Sequence, residues 1–375
     1  MIYFDNAATT RPSESAVKKA EKFIKDDYFN PSALYRGGLS CAKEIAAAKE
    51  SVLKNLGLSP TKYEVIFTSC GSESDNTAIF CSGNRGTYLT DKGEHSAVYQ
   101  SFTELSRKKA AVHFIGLNKD GSVNTEELFD YVKTNGAGFV SIVHVNNETG
   151  AINDVGAIAD QLKRINPSII FHSDGVQAYG KIPFVFSENI DFYSISAHKI
   201  NALKGCGALI KKRKANLFPL IFGGGQENGL RSGTENVFGI KTFQYAGEEH
   251  YADIYANFEK VQSVNGYIRE NLDKNLFTVI SGENASPYIL SISAKGLKGE
   301  VIMHALEDCG IIVGNGSACS SRHRFSRVIE ACGYDRCVLD GVVRVSFSQD
   351  STLEEAKEFI DRINEIAKRL KEVMK

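Results

Sequence analysis

Apolar residues in this chain follow two rhythms. From about Ser13 they recur every three to four positions, with Val17, Ala20, Phe23 and Ile24 on one side, which predicts an amphipathic helix. The segment CAKEIAAAKESVLKNLGL is rich in strong helix formers and predicts another helix, ending near Gly57. Short apolar runs then predict strands at 63–68, 86–90, 111–117, 138–145, 168–174, 191–196 and 205–210. Helical patterns such as SAVYQSFTELSRKKA and VGAIADQLKRIN separate most of them. Strands apolar on both faces, alternating with helices, predict a largely parallel sheet covered on both sides.

From about Asn236 the rhythm changes. A long polar-rich helical stretch runs toward Leu272, followed by short strands in YILSIS and VVRVSFS. Helices are predicted around GEVIMHALEDCG and STLEEAKEFIDRINEIAKRLKEVMK. This predicts an α/β protein with a smaller α+β C-terminal domain. The expected division is a large unit of residues 13–240 and a small unit of 1–12 with 241–375.

Composition narrows the classes of function. With 42% hydrophobic and 24% charged residues, the chain has ordinary globular composition. A net charge of -1 argues against a nucleic-acid groove or an anionic membrane surface. The run Lys211-Lys212-Arg213-Lys214 reads as a solvated turn after a strand. The start, MIYFDNAATTRP, lacks the basic and apolar regions of a signal peptide, and no apolar run reaches the length of a membrane span. A cytoplasmic protein is expected. Eight cysteines in 375 residues are too sparse for a disulfide scaffold, and none forms a zinc pattern, so no metal is expected.

Unusual residues collect where predicted strands end, which is where open α/β sheets bind ligands. After 63–68 comes Ser69-Cys70-Gly71-Ser72-Glu73-Ser74-Asp75-Asn76, entering a helix. Small residues there suit an anion held by backbone N–H groups, although a simple helix cap by Ser72 explains the same pattern. Gly93-Glu94-His95-Ser96, Asn146-Asn147-Glu148-Thr149-Gly150, Ser173-Asp174-Gly175-Val176-Gln177 and Ser196-Ala197-His198-Lys199 follow later strands. Each alone reads as a cap or a turn, and a lysine at a strand end is usually solvated. Together they place an anion nest, an imidazole, an amide, a carboxylate and an amine at one rim. That set suits pyridoxal 5'-phosphate, with Lys199 as the Schiff-base lysine.

The string DFYSISAHK, followed five residues later by GCGAL, resembles the lysine signature of class V pyridoxal-phosphate aminotransferases. More narrowly, the chain resembles the NifS-like cysteine desulfurases through YFDNAATT, FTSCGSESDN, GEHSAV, HVNNETG, HSDGVQ, SAHK, LRSGTEN, GNGSACSS and VVRVSFS. The resemblance implies the type I fold of pyridoxal-phosphate-dependent transferases, with a mainly parallel seven-stranded sheet in the large domain. It implies that Lys199 binds the cofactor and moves protons, Asp174 pairs with the pyridinium nitrogen, and Gln177 bonds the ring hydroxyl oxygen. His95 would stack on the ring as an acid–base, with Asn147 near ring and substrate. Gly71, Ser72, Ser196 and His198 would hold the phosphate, joined by Thr234 from a neighbouring subunit. Arg344 would clamp the carboxylate of L-cysteine, and Cys319 would take its sulfur as a persulfide, leaving L-alanine.

A homodimer and a sulfur-acceptor protein are implied as partners, the acceptor being a scaffold of iron–sulfur cluster assembly or a thiolation enzyme. The chain differs from the family pattern at Tyr35, Cys70, Ser72, Asn201-Ala202-Leu203 and Arg322-His323-Arg324-Phe325. Two other classes remain open. One is a different class V enzyme, such as a selenocysteine lyase or a small amino acid aminotransferase. The other is a catalytically weak sulfur-relay protein.

Overall fold

Strands with two apolar faces need cover on both sides, and the alternation of the first two thirds of the chain supplies it. The computed structural model describes residues 1–83, 86–314 and 325–373. Up to the end of the large sheet the order is β1 (Ile2–Phe4), α1 (Glu14–Ala20), α2 (Lys22–Lys25), α3 (Arg36–Asn55), β2 (Tyr63–Thr68), α4 (Gly71–Cys81), β3 (Tyr88–Asp91), α5 (Ser96–Arg107), β4 (Val112–Ile115), α6 (Thr125–Asn135), β5 (Phe139–Ser141), α7 (Val155–Ile165), β6 (Ile170–Asp174), β7 (Phe192–Ser196) and β8 (Gly207–Lys212). Then follow α8 (Val237–Ala252), α9 (Ile254–Asn271), β9 (Phe277–Val279), β10 (Ile289–Ala294), α10 (Gly299–Asp308), β11 (Ile311–Val313), α11 (Arg327–Ala331), α12 (Arg336–Leu339), β12 (Val342–Ser346) and α13 (Leu353–Val373).

The main sheet has seven strands in the order β2-β8-β7-β6-β5-β3-β4. The pairs from β4 through β3, β5 and β6 to β7 are parallel, while β8 runs antiparallel to both β7 and β2. Two reversals restore the direction, so β2 ends at the same rim as β3, β5, β6 and β7. The sheet is therefore mainly parallel, with one inserted reversed strand. A separate antiparallel sheet has the order β12-β10-β9, and β1 pairs in parallel with β11.

Two large apolar cores follow this division. One gathers residues of α1, α2, α3, the main sheet and α8, including Ala16, Phe23, Ile45, Tyr193 and Phe243. The other gathers β1, α9, β10, α10, β12 and α13, including Phe4, Val264, Leu290, Ile302 and Phe359. Among the described residues no helix is long and apolar enough to cross a membrane.

Several expectations change in three dimensions. The first helix breaks at Glu21, and Ile24 is 55% exposed rather than sharing the buried face of Ala20 and Phe23. The long stretch toward Leu272 is two helices, bent at Asp253 (φ -133°, ψ 35°), because α8 packs on the first core and α9 on the second. The run 138–145 is a strand only to Ser141. Beyond it, Asn146 N–H donates to Ala151 O at 2.9 Å and closes a turn. The Lys211–Lys214 run is not simply a solvated turn. Strand β8 extends through Lys212, and buried Lys211 pairs with Glu64 at 2.8 Å.

Candidate active site

The shared rim of the strands opens into one cavity facing the second core. Gly71, Ser72, His95, Asn147, Asp174, Gln177, Ser196, His198, Lys199 and Arg344 all line it. Thr234 is exposed and outside this lining. Cys319 lies outside the described residues.

At one end of the cavity α4 begins at Gly71. Its N-cap is Cys70 rather than Ser72, and the helix N-terminus that Cys70, Gly71 and Ser72 bring to the cavity wall has no side-chain cap. A Cβ at Gly71 would come within 2.8 Å of Val176 Cγ2, so only glycine keeps this floor open. Ser196 Oγ, buried beside it, has no hydrogen-bond partner among the described residues. His198 Nδ1 lies 3.2 Å from Thr9 Oγ1. Burial and the neighbouring Lys199 push the His198 imidazole down to about 4, so it is neutral at neutral pH.

Lys199 lies on a short 3-10 turn after β7. Its Nζ donates to Ala7 O at 2.6 Å and Ala8 O at 2.8 Å. Asp174, the last residue of β6, is buried and accepts the Val176 N–H at 2.9 Å. Burial raises its carboxyl from 3.8 to about 6, against the opposing pull of Val176 N–H and Lys199. Gln177 is held at both ends of its amide. Nε2 donates to Ala7 O at 2.9 Å, and Oε1 accepts from buried Lys181 Nζ at 2.8 Å. Lys181 thereby fixes which way the amide faces.

His95 caps α5, its Nδ1 accepting the Ala97 N–H at 3.2 Å. The remaining ring proton therefore sits on Nε2. Burial, then Lys199, pushes this imidazole down to about 4. Arg344 on β12 donates to Asn147 O at 2.9 Å and to Asp5 Oδ1 at 2.8 Å, while its buried Nε has no partner among the described residues.

Four more groups line this cavity: Asp75, Glu94 and Glu148, which stand in the strand-end segments but have no role in the sequence reading, and Arg327, which it misses. The signal for Asp75 was periodic. It stands four residues after Gly71, on the buried side of α4 with Ser74 and Ala78. Arg327 stacks on the Tyr99 ring at 3.7 Å from its centroid and donates to the carbonyls of Lys92 and Glu94. No local pattern pointed to it.

Pyridoxal phosphate fits these residues. An uncapped helix N-terminus beside the orphaned hydroxyl of Ser196 suits its phosphate, the buried Asp174 carboxyl its ring nitrogen, and the Lys199 amine its aldehyde. A pH dependence follows. Asp174 can pair with a protonated pyridine only when ionised, so acidification through about 6 removes that charge while neutral His95 is unchanged down to about 4. The cofactor's dissociation constant should rise about tenfold between pH about 7.5 and about 5, measured by equilibrium dialysis. A flat profile would show that Asp174 does not make this contact.

Comparison with known proteins agrees with this geometry. Residues 2–359 match the model of the aminotransferase class-V family. A NifS/IcsS protein homolog of Lactobacillus delbrueckii subsp. bulgaricus is 36% identical over 381 residues, covering 98% of this chain and 97% of the relative. A cysteine desulfurase of Enterobacter agglomerans is 34% identical, covering 99% of this chain and 93% of the relative. A solved NifS-like protein superposes with a TM-score of 0.90 at 33% identity, over 97% of this chain and 98% of that one. A structure of SspA in complex with cysteine gives a TM-score of 0.80 at 26% identity, over 93% of this chain and 99% of that one. The chain belongs to the aminotransferase class-V family, among its NifS-like cysteine desulfurases.

Proposed function

We propose that this protein is a cysteine desulfurase that takes sulfur from L-cysteine, leaving L-alanine and a persulfide on Cys319. The observation that carries the reading is the meeting of Lys199, Asp174, His95 and Arg344 in one cavity. When bound there, pyridoxal phosphate supplies an electron sink for the substrate α-carbon.

The chain's own residues do the rest. Arg344 receives the substrate carboxylate, using the donor now unpartnered on Nε and the hydrogen-bonding capacity now spent on Asp5. Lys199 takes and returns the proton at the α-carbon. Neutral His95, with its proton on Nε2, can give a proton before it takes one. The Cys319 thiolate attacks the substrate sulfur. The S–S bond forms as the Cβ–S bond breaks, and Cβ keeps the electron pair and takes a proton. Assaying alanine from cysteine, and the sulfide that an added thiol reductant releases from the persulfide, without a keto acid tests the reading, since an aminotransferase would need that acceptor.

Arg344→Gln should raise KM for cysteine about 10–100-fold, through lost charge-assisted hydrogen bonds. Arg344→Lys should recover only part of this, because an ammonium cannot reproduce the fork. An unchanged KM in both variants would move the carboxylate site elsewhere.

The two apolar cores support a large and a small unit as in the division 13–240 and 1–12 with 241–375, but with the boundary moved from 240 to the α8–α9 bend at Asp253, because Phe243 and Ala246 of α8 lie in the first core. A homodimer is supported by exposed apolar residues beside the Gly223–Gly225 turn, Phe218 at 61% and Phe222 at 80% exposure. Such a surface suits a second copy, which would bring Thr234 to the partner's phosphate site. Sedimentation should show a dimer, and Thr234→Ala should weaken cofactor binding about tenfold. A monomer that binds the cofactor fully would refute this assembly. A sulfur-acceptor protein, a scaffold of cluster assembly or a thiolation enzyme, would then receive the persulfide sulfur in the cytoplasm.

A further inference from the structure

Behind the cavity a chain of buried polar groups joins two carboxyls that the mechanism above does not use. Glu94 Oε1 accepts the Ser141 hydroxyl at 2.9 Å. Ser141 Oγ lies 2.9 Å from His172 Nδ1, on the other side. The opposite ring nitrogen, Nε2, is 3.0 Å from Ser194 Oγ, and the Ser194 hydroxyl in turn hydrogen-bonds the Asp75 carboxyl, whose Oδ1 lies 3.6 Å from Nε2, too far for a direct bond. Glu94, Ser141, His172, Ser194 and Asp75 are all at most 1% exposed. Each terminal carboxyl keeps one buried oxygen with no hydrogen-bond partner among the described residues, Glu94 Oε2 and Asp75 Oδ1.

Donor counting allows this chain two arrangements. In one, Asp75 is the donating acid, Ser194 accepts from it and donates to Nε2, His172 carries its proton on Nδ1 and donates to Ser141, and Ser141 donates to Glu94. In the other, Glu94 donates to Ser141, Ser141 donates to Nδ1, the Nε2–H of His172 donates to Ser194, and Ser194 donates to an ionised Asp75. Burial pushes the imidazole down to about 3, so the ring is neutral and holds one proton in either arrangement. Passing between them moves one proton from Asp75 to Ser194, one from Ser194 to His172, one from His172 to Ser141 and one from Ser141 to Glu94. Each middle group gains and loses one proton.

The position of Asp75 gives this chain a consequence. Ligand atoms of Asp75, Asp174 and His95 all lie within 4.8 Å of one another. Two ionised carboxyls that close in a dry interior repel strongly. We propose that Glu94, Ser141, His172, Ser194 and Asp75 form a buried proton relay that sets whether the carboxyl beside Asp174 is neutral or charged, and so whether Asp174 is free to be an anion. These are positioning residues. The relay itself is independent of the functional reading; only its effect on Asp174 as partner of the cofactor ring rests on that reading.

The test is the tautomer of His172 in cofactor-loaded protein labelled with 15N-histidine, its signals assigned by their loss in His172→Asn. In Glu94→Gln the remaining acid, Asp75, keeps the proton, and Nδ1 should carry the ring proton. In Asp75→Asn, Glu94 keeps it, and the ring proton should move to Nε2. Asp75→Ala serves if the asparagine variant does not fold. Adding Ser141→Ala to Glu94→Gln cuts the chain and should abolish the effect of the glutamine. The same tautomer in both end variants, or an unchanged response without Ser141, overturns the relay. Opposite tautomers with no shift in the bound cofactor's absorption band overturn the step to Asp174 and leave the desulfurase reading intact.

Discussion

Lys199→Ala should lower turnover of L-cysteine by at least ~10³-fold, because it removes both the amine for the cofactor aldehyde and the group that moves the α-proton. The fold should survive. Lys199 is half-buried, and its loss leaves the carbonyls of Ala7 and Ala8 without its donor. Gln177 Nε2 still donates to Ala7 O, so only the Ala8 carbonyl is left unsatisfied, at a cost of about 1–3 kcal/mol. Borohydride reduction of the parent, followed by peptide mapping, should place a phosphopyridoxyl group on Lys199. The variant should release its cofactor on gel filtration. The informative alternative is Lys181, a buried amine 2.8 Å from Gln177 whose pKa burial lowers to about 7. A label on Lys181 would overturn the assignment.

Cys319→Ser should keep the cofactor and still bind cysteine, yet lose alanine and persulfide formation by at least about 10³-fold, since the nucleophile is gone. Trypsin mapping of persulfide in the parent checks the position directly. Other thiols make the test discriminating. Cys70 lines the cavity, and Cys309 and Cys337 are exposed. Cys332 is a poor candidate, because burial pushes its thiol up to about 12. A persulfide found on Cys70 with parent-rate turnover in Cys319→Ser would move the acceptor into the cavity wall.

The strand runs at 63–68 and 191–196 were legible because apolar residues in short blocks suit a strand buried on both faces. The ligand rim was legible too, since a parallel sheet brings strand ends together and the unusual residues stood at those ends. His95, Asp174 and Lys199 could thus be placed together before any coordinates.

What the sequence alone could not convey was pairing over distance. Strand β1 has three residues and no periodic signal, yet it pairs with β11, Ile2 opposite Ile311. That pairing carries Asp5 to Arg344, 339 residues away, and sets Ala7 and Ala8 over Lys199 and Gln177. Sheet order was equally hidden: nothing in β8 announces that it runs antiparallel between β7 and β2.

The buried carboxyls mark the same boundary. Asp75 and Glu94 look like ordinary helix and turn residues in sequence, and only the packed interior makes them costly charges needing partners. Local periodicity determined the elements and the rim, because side-chain direction repeats with the backbone. The tertiary structure decided which charges meet, because that depends on contacts between segments far apart in the chain.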